Sequence, residues 1–267
     1  MKQILMRIAS WLLIVATMVA VVLFFGRTFS ALAINKGTIS YDDVLPTSTL
    51  SPVLLEQKED FAKEIQELVQ KKEDSVFKPG WLHVVSQVQA NTDPSSVLPN
   101  GVQIPNEYIM EDWYLLDTDG KVLQAASFMR DTKNNIIQES VLYKGNWHNL
   151  TLNDITSSTE FKPKIDFGFS EMAIAQGTKI EKQDFILEGR DAILYVITEE
   201  YLDYNKKYAQ ILVRAYFDPA GNLSLIETVL VAVDGSETLD SSNKVLIVEN
   251  IQDPSDDVIK SLEEVSK

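Results

Sequence analysis

His83 and His148 are the only histidines in a chain of 267 residues that has no cysteine. The side chains that most often carry metal, nucleophilic or general-base chemistry are therefore nearly absent. His83 lies in the strand-like WLHVVS and His148 in GNWHNL. They form a paired site only if the fold brings them together, and otherwise read as structural or surface histidines. Two Asp-rich strings, DTDG (117–120) and DPSDD (253–257), offer carboxylates but lack the twelve-residue ligand spacing of an EF-hand, so they read as a turn and a helix cap. DFG at 166–168 stands without the glycine loop, strand lysine and catalytic-loop aspartate that kinase chemistry requires. Among 39 acidic residues no pair is singled out for glycoside hydrolysis. We assign no catalytic residue, no metal ligand and no cofactor, and we expect a non-enzymatic protein, with an unrecognised hydrolase as the competing enzymatic class.

The remaining side chains of functional interest are aromatic. Trp81, Trp113, Trp147 and the tyrosines between 195 and 208 could stack on sugars or line an apolar groove, although aromatics at strand spacing most often fill a core. N-L-T at 149–151 and N-L-S at 222–224 match the glycosylation acceptor pattern, which is common by chance.

The elements that hold these residues are legible from hydrophobic period. In 53–72, Leu54, Phe61, Ile65 and Leu68 recur on one helical stripe with Glu and Lys on the other faces, which predicts an amphipathic helix ended by Pro79-Gly80. Beyond Gly80 the period drops to two. Strands are expected at 81–89, 107–117, 121–129 and 136–144, then at 179–189, 192–202, 208–218, 222–234 and 244–250, with tight turns between neighbours. YLLDTDGKV (114–122) and YFDPAGNL (216–223) share an Asp-x-x-Gly turn, as though one hairpin plan were used twice, in pseudo-repeats 53–150 and 151–267. AILYVI and KVLIV are apolar at consecutive positions, so both faces of those strands need cover. The helix at 53–72 and a short C-terminal helix carrying Val258, Ile259, Leu262 and Val265, capped by Asp253 or Ser255, can supply it. The expected fold is α+β, mostly antiparallel β: a curved half-barrel sheet with an N-terminal and a short C-terminal helix. A β-sandwich is the alternative. Two long links, 91–106 and 151–177, the latter with a short helix at FSEMAIA, are candidate functional loops.

Residues 1–33 are of different material. Ile8 to Phe25 is a run of 18 residues without charge, preceded by Lys2 and Arg7 and followed by Arg27. At 1.5 Å per residue it covers about 27 Å, close to the hydrocarbon core of a bilayer. SALA at 30–33 also offers a signal-peptidase site. Both readings stand: a retained single-pass anchor through residues 8–25 in the cell membrane, or secretion after cleavage at Ala33. Either way the flanking charges place residues 34–267 outside the cytoplasm, with 34–52 a tether and 53–267 one domain. Of the net charge of −15, residues 34–267 hold −18 once Lys2, Arg7 and Arg27 are set aside. A surface this acidic repels phosphate backbones, so nucleic acid is excluded as a natural partner.

The helix-then-strand at 53–89, LEGRDAILYVI at 187–197 and ILVRAYFDPAGNLSLIETVLVAVDG at 211–235 resemble the bacterial LolA-like lipoprotein carriers and their relatives, the RseB-like envelope-stress sensors and LppX-like lipid binders. The resemblance implies an unclosed antiparallel half-barrel whose concave apolar face is capped by helices and receives lipid chains. A lipid or lipidated protein would then be the partner, held in a sheet–helix groove for which Trp113 and Phe217 are the candidate lining residues. The competing class is an envelope interaction or sensor module without a lipid ligand.

Overall fold

A computed structural model describes residues 52–91, 101, 103–158, 162–175, 177–200 and 208–267. The expected membrane segment 8–25, the cleavage site at Ala33, nearly all of the tether and most of loop 91–106 lie outside the described residues. Among the described residues no helix is long and apolar enough to cross a membrane.

The described residues open with helix α1 (Pro52–Val76), run through β1 (Gly80–Ala90), β2 (Glu107–Leu116), β3 (Val122–Arg130), β4 (Ile136–Tyr143), β5 (Asn146–Asn149) and β6 (Asp154–Ser157), and reach a short helix α2 (Phe169–Ile174). They continue through β7 (Lys179–Leu187), β8 (Arg190–Glu200), β9 (Tyr208–Phe217), β10 (Leu223–Ala232) and β11 (Glu237–Ile251) to helix α3 (Asp256–Ser266). All eleven strands form one open, curved sheet in the order β6-β5-β4-β3-β2-β1-β11-β10-β9-β8-β7, every pairing antiparallel. The expected α+β architecture is the observed one. The sandwich alternative is not, because the described strands belong to a single sheet.

The meander β1–β4 and the meander β8–β11 lie side by side, and β1 joins β11 at mid-sheet. Asp117 and Asp218 close equivalent turns at the same sheet edge. Gly120 N–H donates to the Asp117 carbonyl (3.2 Å) and Gly221 N–H to that of Asp218 (2.9 Å). In each turn the Asp side chain accepts from the backbone four residues on, Lys121 at 2.9 Å and Asn222 at 2.8 Å. Gly120 and Gly221 have φ +75° and +87°, which explains the residue type. Asp131 builds the same turn with Asn134 at φ +68° in the glycine's place, a position that asparagine tolerates.

Two expectations are corrected. The last strand was expected at 244–250, yet β11 begins at Glu237. Its Ser241, Ser242 and Asn243 pair with β1 on one side and β10 on the other, so ladder hydrogen bonds on both sides hold polar residues in a strand that their composition does not suggest. Within 144–157, two short strands were missed. Lys144 and Gly145, both at positive φ (49° and 78°), form the two-residue turn that matches hairpin twist and start β5, after which β6 closes that side of the sheet.

Helix α1 lies across one face of the sheet. Ala62, Ile65 and Val69 pack with Phe169 and Ala173 of α2 and with Ile180, Tyr195, Ile197, Val213, Ala215 and Phe217 of β7–β9. The helix runs four residues past the expected 72 because Val76 is itself buried, against Leu82, Val84 and Leu116. Helix α3 covers the opposite face, where Val258 and Leu262 meet Trp81, Trp113, Ala126 and Phe128. Ser255 occupies its N-cap but makes no capping bond with its side chain; Asp256 and Asp257 in the first turn complement the helix dipole instead.

Candidate functional site

Strand alternation separates the two aromatic candidates. Leu82 and Tyr114 point to the α1 face, so their neighbours Trp81 and Trp113 point to the α3 face. Phe217 belongs to the α1 face. Trp113 (4% exposed) and Phe217 (1%) therefore lie on opposite sides of the sheet, each inside a core cluster, and share no groove.

On the α1 side a cavity of about 210 Å³ opens between helix and sheet. Val69 and Lys72 of α1 form its roof, Ile165 and Asp166 one wall, Phe217 and the turn Gly221–Ser224 its base, and Val245, Leu246 and Val248 of β11 the far wall. Its lining mixes the apolar Val69, Ile165, Phe217, Leu223, Val245, Leu246 and Val248 with the polar Lys72, Asp166, Asn222 and Ser224. Phe217 is fixed there by Tyr195, edge-on at 5.7 Å, and by Phe169 at 6.3 Å. Asp166 is 4% exposed. Its side chain accepts from the backbone N–H of Gly168 (3.0 Å) and Ser170 (2.9 Å) and from the Ser170 hydroxyl (2.5 Å). The DFG string is thus the turn that starts α2 and sets Ile165 into the cavity wall.

A second cleft beside the C-terminal end of α1 is lined by Gln70, Glu73, Asp74, Phe77, Thr118, Asp119, Gly120, Lys121 and Lys162. There Lys162 pairs with Glu73 at 2.5 Å and lies 4.9 Å from the centre of the Phe77 ring. The DTDG turn lines this cleft as its counterpart lines the first, but here the walls are mainly charged and polar.

On the α3 side a line of polar groups ties four strands to the helix. The His83 ring stacks on Trp113 with centroids 3.8 Å apart. Its Nδ1 is 3.3 Å from Glu249 Oε1 and its Nε2 is 3.5 Å from Glu111 Oε1. Glu111 accepts from Trp113 Nε1 (3.0 Å) and from Arg130 Nε (2.8 Å), and Arg130 Nη2 donates to Asp257 of α3 (2.9 Å). His83, Arg130 and Trp113 hold the Glu111 carboxyl down at about 2 against the desolvation that would raise it. On the α1 face of the same strand, burial and then the Glu111 charge push Asp112 up to about 6, opposed by a hydrogen bond from Ser127. The stacked, covered imidazole joins strands to a helix. His148 sits on β5, four strands away from β1 in the sheet order, about 19 Å at the usual strand spacing, so the two histidines form no pair. Among the described residues no group of three or more acidic or histidine side chains could hold a metal ion.

Of the residues lining this cavity, the sequence singled out Phe217 but not Lys72, Asp166, Val245 or Leu246. Lys72 and Leu246 belong to elements whose period could have placed them. Asp166 carried a signal of its own, as a capping residue two before a glycine and four before a serine.

No protein-family profile and no curated protein matches the chain. Among solved structures it is similar to a LolA superfamily protein from Nitrosomonas europaea, at 10% identity and TM-score 0.26 over 73% of this chain and 96% of that one. It is also similar to a putative exported protein with a YmcC-like fold from Bacteroides fragilis, at 8% identity and TM-score 0.26 over 66% of this chain and all of that one.

Proposed function

We propose that the protein is a non-enzymatic extracytoplasmic module that binds an apolar ligand, a lipid chain or a lipidated protein, between α1 and the sheet. The reading rests on one observation: the cavity between Val69, Phe217, Leu223 and Val248 adjoins the core under α1, so a chain entering there would meet these apolar side chains beside the polar Lys72, Asp166, Asn222 and Ser224. The sequence supplies the setting, in which the basic-flanked apolar run 8–25 anchors the chain or exports it, 34–52 tethers it, and 53–267 does the binding. At about 210 Å³ the cavity falls below the roughly 300–1,000 Å³ of drug-sized sites. It accepts one end of a chain with α1 in place, and a longer ligand requires α1 to lift from the sheet. Lys72, beside the apolar walls, suits an anionic headgroup or carboxylate.

The test is titration of the full chain in detergent with a fluorescent naphthylamine-labelled fatty acid. Val245→Trp fills the cavity from its wall, and Lys162→Ala alters only the charged cleft. The reading expects saturable binding that Val245→Trp weakens at least tenfold and Lys162→Ala leaves unchanged. Equal binding by both variants, or none by the wild type, would leave the second reading, an interaction module without a ligand. The packed state of the core under α1, with Ile65, Tyr195 and Phe217 at most 1% exposed, is the observation that favours it.

A further inference from the structure

The two outer strands of the sheet differ. β6 is four residues long, Asp154–Ser157, whereas β7 is nine, Lys179–Leu187, with seven of its residues exposed and only Ile180 buried. Short edges and edge lysines are the usual protection against strand addition. β7 has Lys182, but that ammonium is turned onto its own molecule, 2.6 Å from Glu64 of α1 and 5.6 Å from the centre of the Tyr195 ring. Near the end of the strand Phe185 is 39% exposed and Ile186 67%. The longer edge thus carries apolar surface and a lysine whose charge is already matched.

We propose that β7 is a homodimer interface at which two copies pair antiparallel about a two-fold axis at Gln183, continuing the sheet from one molecule to the other. A two-fold axis perpendicular to a sheet keeps each face on its own side, so facing residues must share parity and the axis must pass through a residue. With Gln183 on the axis, Lys182 faces Asp184 of the second copy, twice by symmetry, its ammonium then shared between Glu64 of its own molecule and that carboxylate, and Ile180 faces Ile186. All four side chains alternate onto the α1 face, where Ile180 already packs in the core. On the other face Glu181 meets Phe185 and Gln183 meets its own copy. Moving the axis to Lys182, Asp184 or Glu181 sets each of these charges against itself. Only the Gln183 register puts opposite charges opposite while keeping the strand's centre paired. Directly opposed side chains on neighbouring strands approach closely enough for such pairs to decide register.

The chain has no cysteine, so single substitutions read the register directly. The experiment is sedimentation velocity of the full chain in detergent up to about 100 μM, with oxidative cross-linking of Gln183→Cys and Lys179→Cys. The expected result is a dimer that Asp184→Lys weakens tenfold or more, since it replaces two favourable pairs by two repulsive ones. Gln183→Cys should form a disulfide-linked dimer and Lys179→Cys should not; unchanged thermal melting of each variant separates loss of pairing from loss of fold. A wild-type chain that stays monomeric over this range, or cross-linking to the same extent at both positions, overturns the proposal. So does a monomer whose β7 takes up an extended peptide of another protein instead.

Discussion

Gly221 lies directly against Leu68. A Cβ built on the glycine falls 2.7 Å from Leu68 Cδ2, whereas one built on Gly120, at the matching position of the other Asp-x-x-Gly turn, meets nothing within 4 Å. The two turns share a backbone but not a neighbour at the glycine: Gly221 abuts α1, and Gly120 faces open space. Replacing either glycine by alanine incurs the positive-φ penalty of about 1–2 kcal/mol. Gly221→Ala adds an overpacking cost of about 1–3 kcal/mol unless Leu68 rotates away. Urea unfolding midpoints should fall in the order wild type, Gly120→Ala, Gly221→Ala. Equal losses would mean that the turn does not bear on the helix.

The neighbours Glu111 and Asp112, on opposite faces of β2, pull stability in opposite directions with pH. The Glu111 carboxyl is depressed from 4.5 to about 2, so its contribution is fully present above 4.5 and is lost as pH falls through about 2. Asp112 is raised from 3.8 to about 6, so its contribution is present below 3.8 and is lost as pH rises through about 6. Each amounts to about 2–3 kcal/mol. The unfolding free energy should therefore peak near pH 4, about where the two windows meet. Asp112→Asn should flatten the decline on the alkaline side, and Glu111→Gln should remove the rise on the acid side. Urea midpoints measured from pH 3 to 7 check this, and a monotonic rise across that range would contradict it.

Arg130, 7% exposed, holds Glu111 and α3 together. Arg130→Ala leaves a largely buried carboxylate without its cation, a loss of about 3–5 kcal/mol. It also frees Asp257, so α3 should loosen over Trp81 and Trp113. The check pairs unfolding midpoints with tryptophan emission, which should shift to the red before global unfolding. Arg130→Lys should recover only part of the stability, because one ammonium cannot reproduce the two directed bonds of the guanidinium.

Trp113 and Phe217 occupy separate cores, so their losses should add. Each substitution by alanine should cost about 3–5 kcal/mol, and the double variant should equal the sum within about 0.5 kcal/mol. A larger coupling would indicate that the clusters on the two faces are not independent.

Most of the fold could be read from the sequence because its signals are local. The stripe Phe61–Ile65–Leu68, the change of period at Gly80 and the Asp-x-x-Gly turns each rest on a few neighbouring residues. β11 could not be read past its apolar part, since Ser241–Asn243 are held in the strand by partners on both sides, more than 150 residues away in β1 and about 15 away in β10. The cavity shows the same division. Phe217 was nameable as a large aromatic in a buried strand, but which face it occupied depended on where Ile65 and Val69 of α1, about 150 residues earlier, pack. Trp113 was named with it as lining the groove that the resemblance implied, whereas sheet alternation sends them to opposite faces. The partners of Arg130, Glu111 19 positions before it and Asp257 127 positions after it, leave no periodic trace.

The most direct measurement is native mass spectrometry of the full chain purified from the cells that express it, compared with Val245→Trp prepared identically. Binding between α1 and the sheet predicts an added apolar mass on the wild type that exchanges with a supplied fatty acid and is absent from Val245→Trp. A wild-type spectrum without any added mass, or a mass retained in full by Val245→Trp, would contradict the cavity as the binding site.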